Sequence, residues 1–256
     1  MLPITKASAW KRIFAFLLDF ILLTIVATGG ALLVSVITGY TEKTEQMQAI
    51  YEEYEDRFDV NLFMSQAEYN SLSEQEQAEY RIKAEQANRA INEDENAVKT
   101  FNLVMTLTVI ITSLGILIAV LITEFVVPLI LKNGQTVGKK VFSLCLCTPD
   151  GVKVSSISLF IRTILGKFTL EIMIPVIVVL MIFFGSIGVI GIIILALIVI
   201  VEAVVYFSKG ISQMIHDLMA NTIVVDMSST RIFETNEEMI EYVKEKAAEQ
   251  AAKEIY

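Results

Sequence analysis

The sequence predicts an all-α integral membrane protein. Four transmembrane helices carry a small cytoplasmic β-hairpin or strand layer and an extracytoplasmic helical insertion. Three observations predict this. The 256 residues are 54% hydrophobic and only 19% charged, with a mean hydropathy of +0.61, which is more apolar than ordinary soluble domains. The apolar residues fall in uninterrupted runs long enough to cross a bilayer core of about 30 Å. Basic residues cluster between two of those runs, at 132–167, as cytoplasmic loops require.

The first run organises the chain. Residues 1–39 hold a short N-terminus with Lys6, Lys11 and Arg12, then an apolar stretch charged only at Asp19 between Ile13 and Ile37. It is too long for the apolar core of a signal peptide. The positive flank places the N-terminus inside, with Trp10 at the headgroup level. Arg12 and Asp19 are two helical turns apart, so they share a face about 10 Å apart along the axis. An ionised Asp in hydrocarbon costs about 2.5–3.5 kcal/mol on insertion scales, so Asp19 needs a partner, and Arg12 is the one at hand.

Residues 40–100 differ in kind, with roughly fifteen acids against six bases, the signature of a solvated segment. That excess equals the net charge of the chain, −9. Tyr51, Tyr54, Phe58, Leu62 and Phe63 give it apolar anchors. Ser65 with Glu68 and Ser73 with Glu76 read as capping boxes, predicting a short helix from Ser65 and a longer one from Ser73 that runs on into the next span. This outer segment either shields the membrane helices or serves as a partner-binding, cation-attracting cap.

Residues 101–131 form the second run, interrupted near its end by Glu124 and Pro128. In residues 132–167, Val141–Thr148 reads as a strand. Pro149-Asp150-Gly151 is a turn, and Val152 to Val154 are placed to pair back. Ser155 or Ser156 caps a helix from Ile157 to Lys167 whose pattern suits the membrane interface. Residues 168–207 would overshoot the bilayer roughly twofold as one helix. Either they form one long tilted helix with a Gly-rich face, which puts the C-terminus outside, or they form a hairpin, which the central glycines favour. Gly185, Gly188 and Gly191 divide them into a third helix ending at Phe184 and a fourth from Ile187 to Phe207. Residues 208–256 hold a strand-like Thr222–Asp226 and a tail helix starting at Thr235, with Met239, Ile240, Val243, Ala247, Ala251 and Ile255 on one stripe. This gives four spans with both termini in the cytoplasm.

Four features together resemble the RDD family of membrane proteins, named for one arginine and two aspartates. They are Arg12 with Asp19; Gly134-Gln-Thr-Val-Gly138-Lys139-Lys140; the strand and Pro-Asp-Gly turn followed by Arg162; and His216-Asp217 leading into Thr222. The resemblance covers 7–37 and 101–226, leaving out residues 40–100 and the tail. It implies that Asp217 is the second aspartate, and it carries a suggested role in moving ions or other ligands.

Asp19, Glu124 and Glu202 each lie roughly 9–11 Å inside the inner end of their helices at 1.5 Å per residue, and Glu171 is shallower. Acids in one leaflet on four helices describe a shared polar site facing the cytoplasm. Arg12, Arg162, Lys167 and His216 are nearby counter-charges. The site is either a cation or proton site or a polar network that fixes helix packing. His216-Asp217 is either a proton-responsive pair or a structural hydrogen bond.

Gly134 to Lys140 has one residue too few between its glycines for a phosphate loop, and Lys140 replaces the Ser or Thr. It is read as a turn out of the second helix. One histidine and two cysteines, Cys145 and Cys147, are too few for a structural metal site. No cofactor, metal, catalytic residue or nucleic-acid surface is expected. The expected partners are the bilayer, further copies of the chain, and a protein docked on residues 40–100. The leading function is movement of a cation, proton or small solute through the acidic site at the cell membrane. The rival is a non-transporting scaffold whose outer segment binds a partner. The uncharged outer halves of all four spans count against a monomeric carrier.

Overall fold

The computed structural model describes residues 5, 7–131, 133–208 and 213–254. Lys6 and Ile255, named above, lie outside them. The chain is 77% helical with a two-stranded sheet. Among the described residues four helices are long and apolar enough to cross a membrane: Ala9–Thr38, Glu95–Leu131, Ser156–Phe183 and Gly188–Val205. The elements in order are α1 (Ala9–Thr38), α2 (Tyr40–Phe58), α3 (Gln66–Ser71), α4 (Glu74–Glu93), α5 (Glu95–Leu131), α6 (Val137–Val141), β1 (Leu144–Cys147), α7 (Ser156–Phe183), α8 (Gly188–Ser208), α9 (Ile215–Met219), β2 (Ile223–Asp226) and α10 (Asn236–Glu254).

The chain divides into two compact units, one of residues 1–30 and 113–256 and the other of residues 31–112. In the second unit, Gly39 takes a left-handed conformation, φ 64°, and separates α1 from α2. No helix is expected over 40–58 from the capping signals alone, yet Ile50, Tyr51, Tyr54 and Phe58 recur at helical spacing and share one packed face of α2. Ser65 and Ser73 both close full capping boxes with Glu68 and Glu76. Tyr54, Ile91 and Ala97 form a small core with Ile50, Tyr51, Phe58 and Leu62 against it. The Tyr54 hydroxyl donates to Asp94 Oδ2 at 3.0 Å. Asp94 breaks the helix between α4 and α5 by one residue, and its Oδ1 accepts from the N–H groups of Asn96 and Ala97. The expected unbroken run from α4 into the span is therefore interrupted by a cap.

In the first unit, β1 pairs antiparallel with β2, Leu144 opposite Asp226 and Cys147 opposite Ile223. Cys145, Cys147, Ile223 and Val225 form its buried face. The strand begins later than expected, because Val137–Val141 is taken by α6. The Pro-Asp-Gly turn closes with Gly151 N–H donating to Thr148 O at 2.9 Å. Beyond it the chain pairs back as expected, though briefly, with Thr148 N–H donating to Val152 O at 2.8 Å and a bridge between Cys147 and Lys153. The distant strand β2 takes the opposite edge of β1, where its alternating Ile223 and Val225 are buried. The Lys11 ammonium ties the start of α1 to Asp226 at 2.6 Å.

The expected separate interfacial helix at Ile157 to Lys167 is absent. Ser155 caps the helix as read, but it continues unbroken to Phe183 as one candidate span. Gly185 and Gly188, at φ 70° and 44°, make the turn into α8. Gly191 lets the two helices close, since a Cβ there would meet Ile182 at 2.5 Å.

Two stretches of the spans are π-helical, Leu121–Val126 and Ile161–Met173. Each precedes a proline by a few residues. Pro128 has no N–H for the carbonyl of Glu124, four residues back, and the Thr163 hydroxyl fills that carbonyl at 3.0 Å. Pro175 stands in the same relation to Glu171. Wider turns, hydrogen-bonded i to i+5, accommodate the lost donors.

Both cysteines are fully buried. Burial pushes Cys145 up to about 11 and Cys147 up to about 12. Since the thiolate is the reactive form, iodoacetamide at pH 8 is expected to leave both unmodified in the folded protein and to alkylate both in denaturant. Labelling of the native protein, read by intact mass, would contradict this packing.

Candidate functional site

The site lies within the first unit and begins with Asp19, which is buried at 7% exposure. Its hydrogen bonds come from the residues around the start of α6. Asp19 Oδ2 accepts from the Thr136 hydroxyl, and Oδ1 accepts from Gly138 N–H at 2.7 Å. Arg12 and Asp19 line one cavity. The reason for the α6 contacts is local. Thr136 caps α6, and the first N–H groups of a helix have no partners of their own. The carboxylate supplies one, and its charge sits favourably there.

Gly138 makes the approach possible. A Cβ there would lie 2.2 Å from the Ala15 carbonyl and 2.8 Å from Asp19 Cγ. Thr136 was absent from the sequence reading. The signal that marks it is its place as an N-cap residue before Val137-Gly-Lys-Lys. Gly134, at φ +61°, turns the chain beneath Leu146.

A second cluster joins α7 to α9. Arg162 is 3% exposed and Asp217 1%. Arg162 donates from Nε and Nη2 to Asp217 Oδ1, at 3.0 and 2.8 Å. Its Nη2 also lies 2.8 Å from His216 Nε2. Arginine only donates, so Nε2 accepts and the proton of a neutral ring sits on Nδ1. Nδ1 then donates to Glu171, with oxygens at 2.6 and 2.7 Å. Burial and the Arg162 charge lower the His216 pKa from its usual value, in accord with this neutral tautomer. Asp217 is held below the usual carboxylate range by Arg162 and His216, against its burial. Gly166 admits α9 to this face, because a Cβ there would meet His216 Cβ at 2.6 Å.

The start of α9 is held by two carboxylates. Glu171 accepts the N–H of His216 at 3.0 Å, and Asp217 accepts that of Met214 at 3.3 Å. No sequence pattern announces this, because the donors are backbone groups.

Glu124, 2% exposed, pairs with Lys167. The π-helical stretch carries Arg162, Lys167 and Glu171. A turn closed at i+5 brings residues roughly five apart onto one face, which draws Arg162 and Lys167 together where an α-helix would separate them. One oxygen of Glu124 and one of Glu202 are shielded from solvent without a hydrogen-bond partner among the described residues.

A cavity of about 400 Å³ opens among these groups. Asp19, Glu171, Arg12, Lys139, Arg162, Lys167, His216 and Asp217 line it with apolar residues of α1 and of both strands. Asp19 and Glu171 thus share a cavity as expected, whereas Glu124 and Glu202 stand behind it. Each acid that lines the cavity is met by protein donors, with Arg162 and His216 among the counter-charges named from the sequence. No group of three His, Cys, Asp or Glu residues suited to a metal occurs among the described residues.

The model of the RDD family matches residues 6–221. The chain belongs to the RDD family. The match takes in residues 40–100, which the sequence resemblance had left out. Its arginine and aspartates do not form one triad here. Asp19 is met by the α6 loop, and Asp217 is met by Arg162, an arginine of another helix. No curated protein and no solved structure matches the chain.

Gly138→Ala forces apart the Asp19 contact and is expected to cost about 1–3 kcal/mol, read as a lower denaturation midpoint, while Lys140→Ala has little effect. Asp217→Ala leaves the buried Arg162 charge without its partner and is expected to cost about 3–5 kcal/mol. The double variant Asp217→Leu, Arg162→Met is expected to be less damaged than Asp217→Ala alone. Equal losses would show that the pair is not coupled.

Proposed function

We propose that this RDD-family protein is a proton-coupled carrier of the cell membrane, in which protons on Glu171 and Glu202 govern the seat of α9. The observation that carries the reading is that an intramembrane carboxylate of α7, Glu171, holds both the backbone N–H and the ring Nδ1 of His216, with Glu202 of α8 nearby as a second acid. A carboxylate that gains a proton loses charge and part of its acceptor strength. Protonation of Glu171 weakens both the backbone bond and the Nδ1 bond from His216. The ring is then released from one side while Arg162 and Asp217 hold the other. Proton occupancy thereby shifts α9 between a seated and an unseated state, and α9 carries two of the side chains that line the cavity. Chains of Asp, Glu and His inside membranes serve such relays. The solute is whatever enters the cavity when α9 moves.

The carrier has four spans with both termini in the cytoplasm, since basic residues crowd 132–167. Residues 40–100 then lie outside. A second reading is supported by that segment's own core and by Phe63 and Ile82, 69% and 58% exposed on it. There it docks a protein, and the membrane part is a scaffold.

Cysteines placed singly at Ser71 and Ser229 are expected to differ in intact cells. An impermeant reagent labels the first and not the second, and the reverse pattern overturns the orientation. In liposomes, wild-type protein is expected to dissipate an imposed pH gradient, and Ser71→Ala to do the same. Glu171→Gln and Glu202→Gln are expected to slow the flux at least tenfold while remaining folded. Wild-type liposomes no leakier than empty ones would sink the carrier and leave the scaffold.

A further inference from the structure

The charges around the cavity are mostly spent on one another. Arg162 is paired with Asp217 and Lys167 with Glu124, and Glu171 is hydrogen-bonded by the neutral His216 ring and its backbone N–H. Asp19 is satisfied by neutral donors, Thr136 and Gly138. Lys139 differs. It lines the cavity, it forms no ion pair among the described residues, and its Nζ reaches only the Thr136 hydroxyl at 3.4 Å. That hydroxyl already donates its proton to Asp19. Most of the remaining wall is hydrocarbon. Leu144, Met214 and Val224 line the inner part, and Ile13 and Phe16 of α1 the outer part. Ile13 and Phe16 are 46% and 56% exposed on a candidate membrane span, so the apolar wall continues onto a surface that meets lipid. A cation ligand finds no free carboxylate on this wall, and a small hydrophilic anion would leave the hydrocarbon part unfilled.

We propose that the cavity binds an amphiphilic anion, its head group on Lys139 and its apolar tail running outward past Ile13 and Phe16. This rests on the carrier reading of the same cavity and names the class of molecule it takes. One anionic head on one hydrocarbon tail describes both a free medium-chain carboxylate and an anionic bilayer lipid. Burial lowers Lys139 to about 8, which leaves the ammonium form in place near neutral pH.

The full chain in phosphatidylcholine nanodiscs at pH 7 is the material for the test, with thermal unfolding as the readout, because a ligand that binds only the folded state raises the midpoint. Decanoate, or phosphatidylglycerol mixed into the disc, is expected to raise it by several degrees. Decanol and decyltrimethylammonium, with the same tail but no negative charge, are expected to leave it unchanged. The rise is expected to vanish in Lys139→Met and to persist in Lys139→Arg. A response to decanoate alone assigns a free carboxylate, and one to phosphatidylglycerol alone assigns a bilayer lipid. Val224→Trp, which fills the cavity and spares the charge, is a second variant expected to lose the rise, should Lys139→Met not fold. Equal rises with decanol, no rise with either anion, or a rise that survives Lys139→Met or Val224→Trp would overturn the site. Binding is read without flux, so wild-type liposomes that hold a pH gradient beside an intact decanoate response would defeat the carrier alone. Flux without that response would defeat the ligand alone.

Discussion

The membrane part depends on how one buried carboxylate is satisfied. Asp19 sits inside the first apolar helix, where an ionised acid without partners is not tolerated. The Thr136 hydroxyl and the Gly138 N–H meet it. The bond therefore fixes the loop after α5 against the flank of α1. From that loop β1 runs to pair with β2, and α9 lies just before β2 in the chain. The cavity walls are thus positioned from a single polar contact on α1. Glycine at 138 is a steric requirement of the contact, because a side chain there would occupy the place of the Ala15 carbonyl.

Prolines act on the site at second hand. Pro128 and Pro175 each remove a donor from the helix around an acid, Glu124 and Glu171. The helix answers with π turns, and the widened turns re-aim charged residues. The polar groups of the site therefore coincide with the irregular backbone of the spans. Irregular backbone inside a membrane is tolerated only where it is buried in protein or lines a cavity. Thr163, which fills the Glu124 carbonyl, shows how that condition is met.

The buried charges are largely matched within the fold. Acids gathered in one leaflet read, from the sequence, as a cation or proton site or as a polar network that fixes helix packing. In three dimensions Glu124 pairs with Lys167, Glu171 accepts from His216, and Asp19 accepts from Thr136 and Gly138, close partners that offset the desolvation of buried charge. Lys139 and apolar side chains share the cavity wall with them.

The sequence by itself determined the spans, the helix caps and the family. Apolar run length, Ser65 and Ser73 with their glutamates, the Gly185 to Gly191 turn and the Arg12, Asp19 and Asp217 motif are local or ordered signals, legible one residue at a time. It also determined that Asp19 needs a partner. Tertiary structure decided which partner, because Thr136 lies 117 residues away and a backbone N–H leaves no trace in composition. It decided that β1 pairs with the distant β2 on the edge opposite Val152 and Lys153, since a long-range pairing leaves no local signal in the sequence. It merged the supposed interfacial helix into the third span, because amphipathic spacing reads the same whether the polar face meets water or a buried network. Periodicity reports that a face is polar, and only the folded neighbours determine what that polarity is for.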